Sequence, residues 1–336
     1  MAANDIGIDL GTSTVVFYTE DRGVILKEPT VIAIDDRHDT VIAIGEKAFE
    51  MTGRTPPHIQ AVWPLSGGVI SDYVLTREII KQLLIKATSS RMIKPRACVC
   101  VPASVTEVEA DAVVEAVQTA GARQVFLIDE PIAAALGAGM DIMRPLGSMV
   151  VDIGGGTTDI AVISMGGKVQ SISIKVAGNT IDEAIVKTMR EKYRLNIGPR
   201  MAERAKIEVG SCLKTSYAKT CVIKGMNVIT GLPEKRTISS GDLYDPIMES
   251  VIQILDALTN VMERTPPELA GDVYTEGVML TGGGALLTGL AEFLALKTGV
   301  VVKVADEPQN CVAKGAGMAF TLEDKLEAGF RDATIL

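Results

Sequence analysis

Aromatic side chains are scarce in this sequence, 4% of 336 residues with one tryptophan, Trp63. That leaves little with which to build a base-stacking surface for single-stranded nucleic acid. Excess positive charge is missing as well. Lys and Arg number 33 against 42 Asp and Glu, a formal charge of −9, so general phosphate neutralisation along a nucleic acid is excluded as a mode of binding. Cysteines are few and odd in number, five, and no C-x-x-C pair or His-rich cluster is spaced for a metal. Cys98 and Cys100 alternate with valines in ACVCV, as on one face of a buried strand, and reduced thiols in a cytosolic protein suit the pattern. Apolar runs stay well short of the roughly 20 residues that span a bilayer. The N-terminal MAANDIGIDL lacks the basic region and apolar core of a secretion signal, which predicts a chain neither exported nor inserted.

What the chain does have is a pair of glycine-rich turns. Val150 to Val162 reads VVDIGGGTTDIAV: an apolar strand, Asp152 at its end, Gly154, Gly155 and Gly156, two hydroxyl residues, and a returning strand. Glycines let peptide N–H groups approach an anion with no Cβ in the way. Asp152 could hold a hydrated hard cation between itself and phosphates. Alone, GGG reads more readily as a plain hairpin turn. The pattern recurs, however, in Asp5 to Tyr18, where Asp9, Gly11 and Thr14 match Asp152, Gly154 and Thr157 as D-x-G-x-x-T. A second echo relates DEPIAAALGAGM at Asp129 to DEPQNCVAKGAGM at Asp306. Two motifs repeated in the same order predict two related halves facing each other across a cleft.

The intervening residues are read as α/β. Apolar residues at three- and four-residue spacing after Ser71 predict a helix, Ala97 to Val101 a buried strand, and Ser104 to Thr119 another helix. Val125 to Ile128 reads as a strand, which Asp129-Glu130-Pro131 follows as the cap of a small-residue helix. Further helices are expected over Asp182 to Tyr193, Arg200 to Val209 and Tyr244 to Glu263. Lys219 to Lys224 and Val228 to Ile229 read as hairpin strands, and TGGGALLTGLAEFLA after Leu280 as a turn opening a helix, whose N–H groups offer an anion or sugar contact. The expected division is a first half, 1–141, with an excursion at about 33–65, and a second half, 142–312, with an excursion at about 181–242. The segment 313–336 is expected to pack back on the first half.

With D-x-G-T-x-T, DIGGGTTD, LTGGG and GAG in this order, the chain resembles the actin-like ATPase superfamily of actin, sugar kinases and heat-shock chaperone ATPases. Within it, DIGIDLGT, VVDIGGGTT, LTGGGALL, TPPEL and VAKGAGM are similar to the MreB family of bacterial cell-shape actins, from about Asp5 to Met318. The resemblance implies two α/β domains, each a core with an inserted subdomain, around ATP or ADP and Mg²⁺. Carried over by position, it implies that Thr12, Ser13, Thr14 and Thr157 with Gly154, Gly155 and Gly156 hold phosphates. Asp9 and Asp152 would order the metal's waters. Glu203, Arg204 and Lys206 would contact ribose and base, and Gly282, Gly283, Gly284 and Ala285 the adenosine. As bare sequence, ERAK more readily describes a solvated helix face.

Glu130 matches the family's water-positioning residue, with Asp159 and Thr158 as further candidates in hydrolysis; as residues alone, Glu130 serves equally as a first-turn acid on a helix dipole. The family more often has Glu-Glu-Pro, so Asp129 is a departure. The resemblance further implies filaments of this chain, slow ATP hydrolysis, and work at the inner leaflet of the cell membrane with the cell-wall elongation machinery. The protein would thus be cytoplasmic and peripheral to the membrane. The family's N-terminal amphipathic extension is absent from this sequence, which leaves the loop SSRMIKPR. There Met92 and Ile93 sit among Arg91, Lys94 and Arg96, a frame suited to anionic lipid, while Ile93 could equally begin the next strand. The alternative is a sugar- or acetate-type kinase, for which no additional motif appears. A chaperone ATPase would need a peptide-binding domain after the core.

Overall fold

The computed structural model describes residues 5–88, 94–102, 105–214, 219–323, 325–326 and 329–334. Two twisted sheets carry it. The first has six strands, in the order Phe330–Asp332, Gln124–Asp129, Arg96–Val101, Asp5–Leu10, Thr14–Thr19 and Gly23–Pro29. The second has five, in the order Gly167–Ile174, Thr158–Ser164, Ser148–Ile153, Val278–Thr281 and Val302–Val304. In each, a three-stranded antiparallel meander adjoins parallel strands, Asp5–Leu10 beside Arg96–Val101 and Ser148–Ile153 beside Val278–Thr281.

The strands read as nearly unbroken apolar runs because both faces of each sheet are covered. In Arg96–Val101, Ala97, Val99 and Val101 join one core while Cys98 and Cys100 join another. Likewise Met149, Val151 and Ile153 face one way and Val150 the other. The outer face of the first sheet is covered by helices Tyr73–Thr88 and Glu107–Ala120, whose Ile79, Leu83, Val114 and Val117 are fully buried. The outer face of the second is covered by Gly178–Tyr193 and the long helix Ser240–Arg264. Between the sheets lie two short helices of small residues, Glu130–Gly137 and Cys311–Ala319. Their size lets the sheets approach from both sides, and they are the two echoed segments of the sequence.

Each sheet carries a smaller three-stranded sheet above it. One is Thr40–Ile44, Ile32–Asp35 and Ile59–Val62, with helix Glu46–Met51. The other is Leu195–Asn196, Thr220–Asn227 and Pro233–Ser239, beside helix Pro199–Val209. These small sheets lean together: the Arg200 guanidinium lies 4.5 Å over the Phe49 ring and donates to the Glu50 carbonyl at 3.2 Å.

Three local expectations are corrected. Val228 and Ile229 belong to the hairpin tip between Thr220–Asn227 and Pro233–Ser239, because Asn227 Oδ1 accepts the N–H of Ile229 and Thr230 and turns the chain. The turn at Gly282 does not open an α-helix directly; a 3₁₀ turn, Gly283–Leu286, precedes the helix Leu290–Thr298. Asp129 occupies the N-cap of Glu130–Gly137 without a side-chain capping bond, since its carboxylate pairs with Lys168 at 2.7 Å.

Candidate functional site

A cavity of about 330 Å³ opens between the two sheets and below the small ones. Both glycine-rich turns reach it, each as the tight link of a hairpin. Thr12 and Ser13 join Asp5–Leu10 to Thr14–Thr19, and Gly154 to Thr157 join Ser148–Ile153 to Thr158–Ser164. The turns meet: a Cβ on Gly155 would overlap Ser13 Oγ, and one on Gly156 would overlap Thr12 Oγ1. Only glycine permits that approach. Ser13 Oγ donates to Asn179 Oδ1 at 3.2 Å, and the Gly68 N–H donates to Thr12 Oγ1 at 3.0 Å. Thr14 lines the same end of the cavity. The result is an array of hydroxyls and backbone amides able to cradle a polyphosphate.

Asp9 and Asp152 close the base of this array at equivalent strand ends. Asp152 is 3% exposed and accepts a hydrogen bond from Thr281 Oγ1 at 2.6 Å. Burial, and for Asp9 also the facing Asp152, pushes both carboxyls up to about 7. Glu130 lines the same cavity, at the first turn of its helix, and its carboxyl is pushed well above the usual range by burial, then by Asp159, Asp152 and Asp9. Among the described residues these carboxylates form no cluster that would ligate a metal directly, so a divalent cation here would be held through its waters. The donor set fits hydrated Mg²⁺, a hard ion that keeps its waters and takes carboxylate oxygens through them. Bound there, it would neutralise phosphate and carboxylate charge together.

At the other end, Gly282, Gly283, Gly284, Glu203 and Lys206 line the cavity alongside the apolar Ile207, Val251 and Leu287. This end is apolar enough for a heterocycle, with a few polar groups at its edge. Lys206 donates to the Gly178 carbonyl at 2.9 Å and pairs with Asp182 at 2.8 Å, so its charge is engaged before any ligand arrives.

Four predicted residues do not line the cavity. Arg204 lies about 100° round the helix from Glu203, donates to the Val222 carbonyl at 2.6 Å and pairs with Glu208 at 3.3 Å. Ala285 is buried in the core of the second half. Thr158 is fully buried and donates to the Val176 carbonyl at 2.6 Å. Asp159, also fully buried, stands opposite Asp152 in the ladder, where it acts on Asp152 and Glu130 through its charge.

Sequence reasoning passed over Lys27, Asn179, Gly68 and Gln309, all of which line the cavity. A lone lysine in the β-rich run GVILKEP was the one available signal. Met92 and Ile93 fall outside the described residues. Arg96, expected in their basic frame, is instead paired with Asp5 at 2.6 Å, its guanidinium 4.7 Å from the Phe320 ring centre. It ties the start of that strand to the C-terminal segment.

A family model described as MreB/Mbl protein matches residues 3–328. The cell shape-determining protein Mbl of Bacillus subtilis is 45% identical over 97% of this chain and 98% of its own. The structure of MreB5 of Spiroplasma citri bound to ADP superposes with a TM-score of 0.91 at 36% identity, covering 97% of this chain and 98% of that one. The MamK double helical filament, at 18% identity over 94% of this chain and 98% of that one, has a TM-score of 0.79 and shares the fold. Paired phosphate turns, the double sheet and these similarities agree, and the chain belongs to the MreB/Mbl family of actin-like cell shape-determining proteins.

Proposed function

We propose that this chain binds ATP or ADP with Mg²⁺ in the cleft, hydrolyses ATP slowly, and polymerises into filaments that lie on the inner face of the cell membrane and organise cell-wall synthesis. The observation that carries this reading is the meeting of two phosphate-type turns and three carboxylates in one cavity between related halves. Phosphoryl transfer asks little covalent chemistry of a protein, mainly positioning and charge neutralisation. In this reading, Thr12, Ser13 and the Gly154 to Gly156 turn hold the phosphates, Asp9 and Asp152 hold the metal's waters, and Glu130 orients the attacking water. Nucleotide binding is supported by the ADP complex of MreB5 of Spiroplasma citri. Self-association draws, at the level of fold, on the MamK filament. The kinase alternative gains nothing, since the relatives that match the whole chain are cell-shape proteins.

Sedimentation tests the reading. Wild type should pellet with ATP and Mg²⁺ and stay in solution without nucleotide, while Asp152→Asn loses the Mg²⁺-dependent part of ATP's thermal stabilisation and fails to pellet. A wild-type protein that neither pellets nor shifts its melting temperature with nucleotide would sink it. Membrane contact rests on the Met92-Ile93 loop, whose replacement by serines should abolish filament co-sedimentation with anionic liposomes and leave assembly intact. Unchanged liposome binding would move the contact elsewhere.

A further inference from the structure

We propose that Lys27 is a built-in counter-cation of the phosphate site, held across the cleft by Gln309 and Asn310, and that it supplies part of the neutralisation otherwise left to Mg²⁺. The inference rests on the nucleotide reading above.

Charge makes the first argument. Among the described residues the cavity is lined by five carboxylates, Asp9, Glu109, Glu130, Asp152 and Glu203, and by two ammonium groups, Lys27 and Lys206. Lys206 is spent on Asp182. That leaves Lys27 as the cation facing a polyanion in an already negative cleft.

Geometry makes the second. In the sheet register Asp9 stands opposite Val16 and Val16 opposite Lys27. Directly paired residues point to the same face, so Lys27 and Asp9 share a row on one surface. The Lys27 Nζ donates to Gln309 Oε1 at 2.7 Å and to Asn310 Oδ1 at 3.3 Å, both from the opposite wall. These acceptors are neutral amides. They fix the ammonium without cancelling its charge, and one of its three N–H donors remains. Burial lowers the ammonium below its ordinary value, and Asp9 and Glu307 act against that loss. A fixed charge on this row attracts phosphate and repels a divalent cation, so it should lower the coupling between Mg²⁺ and nucleotide.

Dissociation constants of a fluorescent ATP analogue, measured on the full chain in EDTA and at saturating Mg²⁺, give that coupling as a ratio. Wild type should show a modest ratio. Lys27→Met should enlarge it roughly five- to tenfold, the size of one unit charge acting on a divalent ion about 10 Å away in a partly solvated cleft. Lys27→Arg should keep it within about twofold of wild type. Should Lys27→Met not fold, Lys27→Gln is measured in its place. An unchanged ratio in the neutral variant, or an equal change in the arginine variant, overturns the proposal. A wild type that binds no nucleotide under either condition overturns the functional reading beneath it.

Discussion

Gly137 and Gly315 occupy the same place in the two echoed helices and make the same contact in opposite directions. A Cβ on Gly137 would overlap the Cys311 carbonyl, and a Cβ on Gly315 would overlap the Ala133 carbonyl. Cys311 and Ala133 each lie four residues before the glycine of their own helix, so the crossing is a local pseudo-twofold. Both helices begin at the cavity floor, one with Glu130 and the other just after Gln309. The repeat seen in sequence is therefore the seam on which the two sheets and the site are mounted.

Gly137→Ala and Gly315→Ala should each destabilise the fold by at least about 1 to 3 kcal/mol through overpacking. Gly139→Ala gives the contrast: that glycine has nothing within 4 Å of its Cβ position, but its φ of 78° confines the penalty to backbone strain of about 1 kcal/mol. Thermal melts of the three variants check the order. A crossing glycine that tolerates alanine better than Gly139 would mean that the helices do not sit backbone to backbone.

Protons held by the carboxylates should make the apo protein less stable as pH rises. Asp9 and Asp152 are raised from 3.8 to about 7. A raised folded-state value favours folding below the unfolded value, and that gain is lost as pH climbs through the folded one. Between pH 6 and 7.5, release of one net proton amounts to roughly 1 to 2 kcal/mol. Melting temperatures without nucleotide should fall over this range, and Mg²⁺·ATP should flatten the fall. A rising apo melting temperature would contradict the burial of the pair.

Thr281→Val should weaken the proposed Mg²⁺ site without touching the phosphate turns. Thr281 Oγ1 donates to Asp152 at 2.6 Å, and both groups are buried. The hydroxyl favours the carboxylate form, so its loss should raise Asp152 further and cost about 1 to 3 kcal/mol through the unsatisfied acceptor. The Mg²⁺ concentration needed for half-maximal stabilisation by ATP should rise. Wild-type Mg²⁺ dependence would place the metal away from Asp152.

Arg200→Ala should speed nucleotide release. Arg200 joins the two small sheets through the Phe49 ring and the Glu50 carbonyl. An exposed cation–π contact is worth about 0.5 to 1 kcal/mol, and with its hydrogen bond corresponds to roughly a three- to tenfold faster off-rate. Stopped-flow displacement of labelled ADP measures this. An unchanged off-rate would mean that release does not pass between the small sheets.

The two-sheet plan and the acidic pair at its base were legible because local patterns carry them. D-x-G-x-x-T between apolar strands dictates a turn, and its repetition places Asp9 against Asp152. Other parts were hidden by distance in sequence. Lys27 meets residues 282 and 283 positions away, and no motif contains both sides. The ERAK segment shows a third case. Helix geometry already separates Arg204 from the face shared by Glu203 and Lys206, so only part of the motif reaches the cavity. Strand alternation likewise turns Thr158 away from the face that holds Asp152 and Asp159.

Glu130 decides whether the acidic cluster works on water or only on structure. Its carboxyl is pushed well above the usual range by burial and three neighbouring carboxylates, and it begins helix Glu130–Gly137. If its main task were to stabilise that helix end, Glu130→Gln would lower the apo melting temperature, because a first-turn anion is favourable by up to about 1 kcal/mol. If it positions water, the change should instead relieve repulsion among Asp9, Asp152 and Asp159, leaving the apo protein at least as stable above pH 7. ATP affinity should stay close to wild type while hydrolysis slows by roughly a hundredfold or more, as losing a positioned acid–base group does. Single-turnover hydrolysis and a melt, run on the same preparation, separate the two roles: slow cleavage with an unchanged melt supports water positioning, and a depressed melt with normal cleavage assigns Glu130 to the helix end.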